Sequence, residues 1–226
     1  TLRMTRIVAI LTGDLIRSTE ASPQAVDQAM RIIRDCAAAL GPRSDFTRFR
    51  GDGWQIRLVR PGDCLWACLL ILARLRGTPE LPGCRIAVGI GAEYPTGATG
   101  ATDLSTAMGP AFTASGRALD RMKPDRLLAL DGERPGGGGI DLFQKLAFTV
   151  ASGLAGRWTT GQAEAMALKL DPGSPADDRR SNETIAGKRG ITRQAVDARL
   201  RAADYPLLEE MIQAFRTSFT PEAADA

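Results

Sequence analysis

Two short stretches set a carboxylate where an apolar or alternating segment gives out. In "AILTGDLIRST" (residues 9–19) Asp14 follows an apolar run, with Ser18 and Thr19 just behind it. In "RFRGDGW" (48–54) Asp52 lies in a Gly-Asp-Gly connection between two segments that read as strands. Either dipeptide alone reads as an ordinary turn. Jointly they raise a second reading: two carboxylates at one spot repel each other unless a cation sits between them, and such a pair can hold a catalytic metal. The chain has no histidine, which removes His-based triads, histidine general bases and His-ligated zinc or iron. Any metal would rest on carboxylates, and hard oxygen ligands favour Mg2+ or Mn2+. Arg117 is a third candidate. It lies four residues after Thr113 on one face of a helix predicted from Pro110 to Met122, whose core stripe reads as Phe112, Ser115, Leu119 and Met122. An arginine there suits a developing negative charge on phosphate, or is a solvated surface residue. Gly109-Pro110 would leave N–H groups at the helix start free to meet an anion.

Bulk properties bound the answer without naming it. With 226 residues the chain can build one large domain, or a medium one plus a small one. A net charge of +3 says nothing by itself about nucleic acid. "IVAIL" is too short for a secretory segment, and the longest apolar stretch, Cys64–Ala73, falls far below the roughly 20 residues of a membrane span. The expectation is a cytoplasmic protein that does not enter a membrane. Cys36, Cys64, Cys68 and Cys84 show no C-x-x-C spacing, and read as buried free thiols.

The elements that must position the candidates follow from periodicity. Arg6–Thr12 reads as a fully buried strand. Ser22-Pro23 opens a helix to Leu40, stopped by Gly41-Pro42. Asp45–Arg50 and Trp54–Arg60 form a hairpin, the second strand burying Trp54, Ile56 and Leu58 on one face. Asp63 opens a helix to Arg76 that is apolar almost all round, hence sandwiched on both sides or set in a subunit contact. Strand 84–90, a Gly/Thr-rich loop, the 110–122 helix and strand 126–130 complete a β-α-β-β-α-β-α-β order. The fold class is α+β, with a ferredoxin-like split β-α-β arrangement. "RPGGGG" reads as a linker, so the expected division is a palm domain over 1–133, a linker over 134–140 and a helical domain over 141–226. Other phosphate signatures fail: there is no G-x-x-x-x-G-K-[ST], and the G-x-G of "GIGAEY" lacks its third glycine.

Four motifs in order resemble class III nucleotidyl cyclases. "GDLIRST" is similar to their D-I-x-G-S-T segment, "RFRGDGW" to the K-T-x-G-D hairpin, "RIAVGIG" to the R-x-G-I strand, and "MGPAFTASGRALDRM" to G-x-x-V-N-x-A-x-R. The likeness covers about residues 6–130. It implies metal ligands at Asp14 and Asp52, triphosphate contacts at Leu15, Ser18 and Thr19, and a catalytic Arg117. Arg48 keeps the basic residue of the base-reading positions, while Thr106 stands where an aspartate is usual and Thr113 replaces the ribose-orienting asparagine. A nucleoside triphosphate ligand and a homodimer are further implications. A closer resemblance is to the SatD-like family of bacterial proteins, through G-D-x-x-x-S, the G-D hairpin, the G-P-A-F helix start and a C-terminal helix-turn-helix.

The tail carries its own signal. In "NETIAGKRGITRQAVDARLRAAD" Ala186, Gly190 and Val196 fall at helix-turn-helix positions, Thr192 caps the second helix, and Arg193, Gln194, Asp197 and Arg201 are expected to face outward. Seven basic and three acidic residues over 178–201 give a local excess of four, which supports DNA phosphate contact. The alternative is a bundle that uses the turn only to pack. A final helix from Tyr205 presents Leu207, Leu208, Met211, Ile212 and Phe215 as an apolar stripe suited to a dimer surface. Three functions follow as expectations: a regulatory protein binding nucleoside triphosphate and DNA, a working cyclase, or a protein-interaction module.

Overall fold

The computed structural model describes residues 6–41, 44–49, 51–94, 104, 107–133, 138–172 and 181–219. Thr106, the Gly/Thr-rich loop over 95–103, positions 134–137 of the linker and the polar segment 173–180 lie outside them.

Five strands form one sheet: β1 (Arg6–Leu15), β2 (Asp45–Arg48), β3 (Trp54–Leu58), β4 (Cys84–Glu93) and β5 (Leu128–Gly132). Their order is β2-β3-β1-β4-β5. Neighbours among the first four are antiparallel, so that β1 and β2 run parallel with β3 between them as a split β-α-β demands, and β5 adds in parallel beside β4. Helices α1 (Pro23–Ala39) and α2 (Cys64–Arg76) share one face of the sheet, and α3 (Pro110–Asp120) lies across β4 on the other. Five helices follow: α4 (Leu142–Gly156), α5 (Thr160–Lys169), α6 (Asn182–Arg189), α7 (Arg193–Ala202) and α8 (Tyr205–Thr217). No helix among the described residues is long and apolar enough to cross a membrane.

Strand alternation decides what each face does. On β1, Ala9, Leu11 and Leu15 join the core under α1 and α2, whereas Val8 and Ile10 pack beneath Ala111 and Phe112 of α3. Helix α2 is buried on all sides because α1 and the sheet cover one flank and α4, α5 and α8 the other. Its apolar girth is therefore consumed within the chain. The α8 stripe is consumed likewise: Leu208, Ile212 and Phe215 are buried, with Phe215 against Phe148 of α4 at 5.5 Å between ring centroids. That removes it as a dimer surface, leaving only Leu207 of the stripe exposed. All four cysteines are free and buried, as their composition and spacing lead one to expect.

Helix α3 is rotated from its expected setting. The residues it buries are Ala111, Ala114, Ser115 and Ala118, while Phe112 is only partly covered. The cause is beneath it. A Cβ on Gly89 would lie 2.0 Å from the Ala111 carbonyl oxygen and 2.4 Å from the Ser115 nitrogen, so helix and strand approach backbone to backbone and only small residues fit between. Gly89 and Gly91, the G-x-G that looked like a weak phosphate signature, are packing glycines.

Candidate functional site

Asp14 does not end its strand. The ladder runs on through it, pairing Asp14 with Arg85 and Leu15 with Cys84, so the turn reading of Gly13-Asp14 is corrected. Gly13 is kept small by Trp54, whose ring would lie 2.4 Å from a Cβ there. Trp54 is fully buried, and its Nε1 is the buried side-chain polar atom without a hydrogen-bond partner among the described residues. Because Gly13 opposes Trp54 in register, Asp14 stands across from the β2–β3 turn that carries Asp52.

The pairings around these two carboxylates are specific. Arg85 Nε donates to Asp14 Oδ1 at 3.0 Å and its terminal nitrogen donates to Oδ2 at 2.5 Å, the two-pronged fit of guanidinium to carboxylate. Ser18 Oγ donates to Asp52 Oδ2 at 2.5 Å. The chain reaches Ser18 by reversing through Arg17, a non-glycine residue in the left-handed region (φ 54°, ψ 39°), into a short 3-10 turn at Ser18–Glu20. The Arg85 pKa is pushed up, first by its hydrogen bonds to Asp14 and further by the negative charges of Asp14 and Asp52, with partial burial opposing. Arg85 thus pairs with Asp14 of β1, and Asp52 of the hairpin acts on it through its charge alone. Arg85 escaped the sequence reading, although it is the lone charge of "CRIAVGI" and antiparallel pairing alone would have set that strand beside β1.

Could the cluster take a metal? Its donors are two carboxylates and a hydroxyl, all oxygen, and Asp14 is partly exposed at 27%. The described residues offer no group of three His, Cys, Asp or Glu. Two carboxylates and a hydroxyl are a donor set of the kind that holds Mg2+, which commonly takes one or two carboxylates with water and substrate phosphate completing the shell. The donor chemistry fits, on the condition that Arg85 releases Asp14.

The other predicted residues are dispersed. Leu15 points into the α1/α2 core and Thr19 is exposed on the 3-10 turn. Arg48 Nε donates to the Gly51 carbonyl and its terminal nitrogen pairs with Asp27 at 2.9 Å, tying the hairpin turn to α1. The start of α3 is not near the carboxylates: Gly109 packs on Ala92, which pairs with Ile7. From Ile7 to Asp14 is seven residues, roughly 24 Å along a strand. The proposed anion-binding helix start therefore serves the far end of the sheet. Thr113, in that first turn, donates back to the Gly109 carbonyl at 3.3 Å. Arg117 is exposed on the outward side of α3, and its side chain has no hydrogen bond or ion pair among the described residues.

In the tail, Gly190 takes the left-handed conformation (φ 64°) that closes α6, and the Thr192 side chain accepts from Ala195 N to cap α7. Val196 and Leu200 are buried, while Arg193, Gln194 and Arg201 are exposed. The charge count shrinks on inspection. Arg189 and Arg199 both pair with Glu164 of α5, and Arg193 pairs with Glu183 and Asp197. Asn182 also donates to Asp197. Lys188 and Arg201 carry no ion pair among the described residues.

No family model matches the chain, and the curated proteins yield no match to it. Among solved structures it is similar to a bacterial light-regulated adenylyl cyclase, at 24% identity and a TM-score of 0.44, over 57% of this chain and 77% of that one. A second structure of a bacterial light-regulated adenylyl cyclase is similar at 21% identity and 0.41, over 55% of this chain; the match spans 43% of that second protein. At these scores neither likeness bears on function.

Proposed function

We propose that the sheet domain binds a nucleoside triphosphate together with Mg2+ or Mn2+ at Asp14, Asp52 and Ser18. The observation that carries this reading is the convergence of Asp14, Ser18, Asp52 and Arg85 from β1, the loop after it, the hairpin and β4. A bound divalent ion would neutralise phosphate charge between the two carboxylates. Arg85, once freed from Asp14, is placed to meet phosphate oxygens, and the Ser18 hydroxyl orients Asp52. Arg117 and Thr113 face elsewhere in the same chain, so a second copy must bring the arginine if it is used, and the working unit on this reading is a homodimer.

Calorimetric titration with Mn2+ and each of the four common triphosphates tests the site. Metal-dependent binding that weakens at least tenfold in Asp52→Asn is the expected result. Nucleotide binding indifferent to metal and to Asp52 overturns it, and the absence of any nucleotide or metal effect leaves a protein-interaction module. Mass spectrometry of the same mixtures decides between a sensor and a cyclase: a 3′,5′-cyclic product lost in Asp52→Asn assigns the enzyme.

A second reading concerns the tail, and the capped α7 with exposed Arg193, Gln194 and Arg201 favours it. On this reading α7 enters the DNA groove and the protein is regulatory. Because three of the five described cations over 181–201 are already paired, those residues should add only a shallow salt dependence, with a log–log slope of about −2 for Lys188 and Arg201. DNA retention unchanged in Arg193→Ala/Arg201→Ala rejects α7 as the contact.

A further inference from the structure

The face of the sheet that carries Asp14 has a second polar feature next to the carboxylates. Two residues back along β1, Thr12 lies on the same face, and across from it on β3 is Gln55, with Thr47 of β2 beyond. The three form a hydroxyl–amide–hydroxyl row beside α3. Gln55 Nε2 donates to Thr12 Oγ1 at 3.0 Å; Thr12 Oγ1 and Ser115 Oγ are 2.7 Å apart; Ser115 Oγ donates to the Phe112 carbonyl at 3.0 Å.

All three bonds can form at once in one direction only. A carbonyl oxygen can only accept, so Ser115 spends its one hydroxyl proton on Phe112 and must accept from Thr12. Thr12 in turn spends its proton on Ser115 and must accept from Gln55. An amide flip would require Thr12 and Ser115 to reverse, and would forfeit the Ser115–Phe112 bond. The full set of bonds therefore favours one Gln55 orientation, with its carbonyl oxygen and one remaining N–H directed away from the relay.

We infer that Gln55 is a specificity-determining residue that reads the edge of a nucleobase. The inference rests on the reading of Asp14 and Asp52 as a metal–triphosphate site. Gln55 is displaced from Asp14 by two residues along the sheet and one strand across, roughly 8 Å, the scale that separates the inner phosphates of a nucleotide from its base. A fixed acceptor and donor side by side match a base edge that presents an adjoining donor and acceptor, as an adenine amino group and its neighbouring ring nitrogen do. A triphosphate with no base would gain nothing from it.

The test compares Mn2+-dependent binding of ATP, CTP, GTP, UTP and inorganic tripolyphosphate to the full chain, by calorimetry, in the wild type, Gln55→Leu and Thr12→Val. The wild type should bind one or more nucleotides at least tenfold more tightly than tripolyphosphate. Gln55→Leu should lose most of that margin while its tripolyphosphate affinity stays within twofold. Thr12→Val, which keeps the amide but frees it to flip, should blur the preference among bases rather than abolish it; thermal melts show whether each variant is folded. Tripolyphosphate bound as tightly as every nucleotide, or a margin untouched by Gln55→Leu, overturns the assignment of Gln55 and leaves the metal–triphosphate site standing. If neither nucleotide nor tripolyphosphate binds, both readings fall together.

Discussion

On one face of β1, Ala9, Leu11 and Leu15 sink into a core shared with α1, α2 and the later helices; on the other, Val8 and Ile10 lie under α3, Thr12 reaches Ser115 at its edge, and Asp14 follows. The same contrast runs along β3, where Trp54, Ile56 and Leu58 are buried and Gln55 and Arg57 are not. The covered face is apolar and closed. The other changes character with distance from α3: small and apolar beneath the helix, polar and ordered by hydrogen bonds beside it. Arg57 shows how far that ordering goes, pairing with Asp45 at 2.6 Å and with Glu93, itself only 5% exposed, at 3.0 Å. Catalysis and binding need hydrogen-bonding groups with access to solvent, and a sheet supplies them only where its cover stops.

Breaking the cover should have the largest effect. Gly89→Val drives side-chain atoms into the α3 backbone, and a loss of about 4 kcal/mol or more, or failure to fold, is expected in urea denaturation. Gly91→Ala, whose Cβ would meet its nearest atom at 3.1 Å, should cost about 1 kcal/mol. Next come two neighbours on β3 that face opposite ways. Trp54→Ala empties a buried site and should cost about 3–5 kcal/mol, whereas Gln55→Ala removes one partly exposed hydrogen bond and should cost about 1 kcal/mol. Equal costs would mean the two faces are not the separate environments described. Arg57→Met leaves the buried Glu93 without its cation and should cost about 3 kcal/mol, while Arg57→Met/Glu93→Leu should recover most of it. A double variant no better than the single one would remove the charge explanation.

Much of this was legible in the sequence because strand alternation and helix caps are local properties. The element order, the Ser22 and Thr192 caps, the turn position of Gly190 and the buried row Trp54–Ile56–Leu58 all follow from residues within a few positions of one another. What was missed depends on partners distant in sequence. Asp14 looked like a strand end because Gly-Asp favours turns, but a ten-residue β4 keeps the ladder going past it. Phe112 looked like a core residue of α3 until Gly89 and Gly91 turned out to admit only alanine and serine. The basic excess of the tail was counted correctly, yet Glu164, on another helix, takes up two of its arginines. Arg85 was passed over for the same reason: its role exists only in the pairing with Asp14.

The cysteines give the mildest probe of the same contrast, since all four lie on the covered side. Burial pushes the Cys36 thiol up from about 9 to about 11, with Arg74 pulling only weakly the other way, and raises Cys64, Cys68 and Cys84 further. Raised thiol pKa values mean that the fold favours the neutral form. Their contribution to stability is complete below pH 9 and declines as the pH rises from about 9 toward 11, because the unfolded chain loses those protons first. A disulfide reagent at pH 8 should therefore leave the native protein almost unmodified and count four thiols only after denaturation. Gln55→Cys adds a thiol on the open face, and that one alone should react in the native state within minutes. A native cysteine that kept pace with it would show that the covered face opens on the same timescale, and the division between a closed core and an accessible polar face would have to be redrawn.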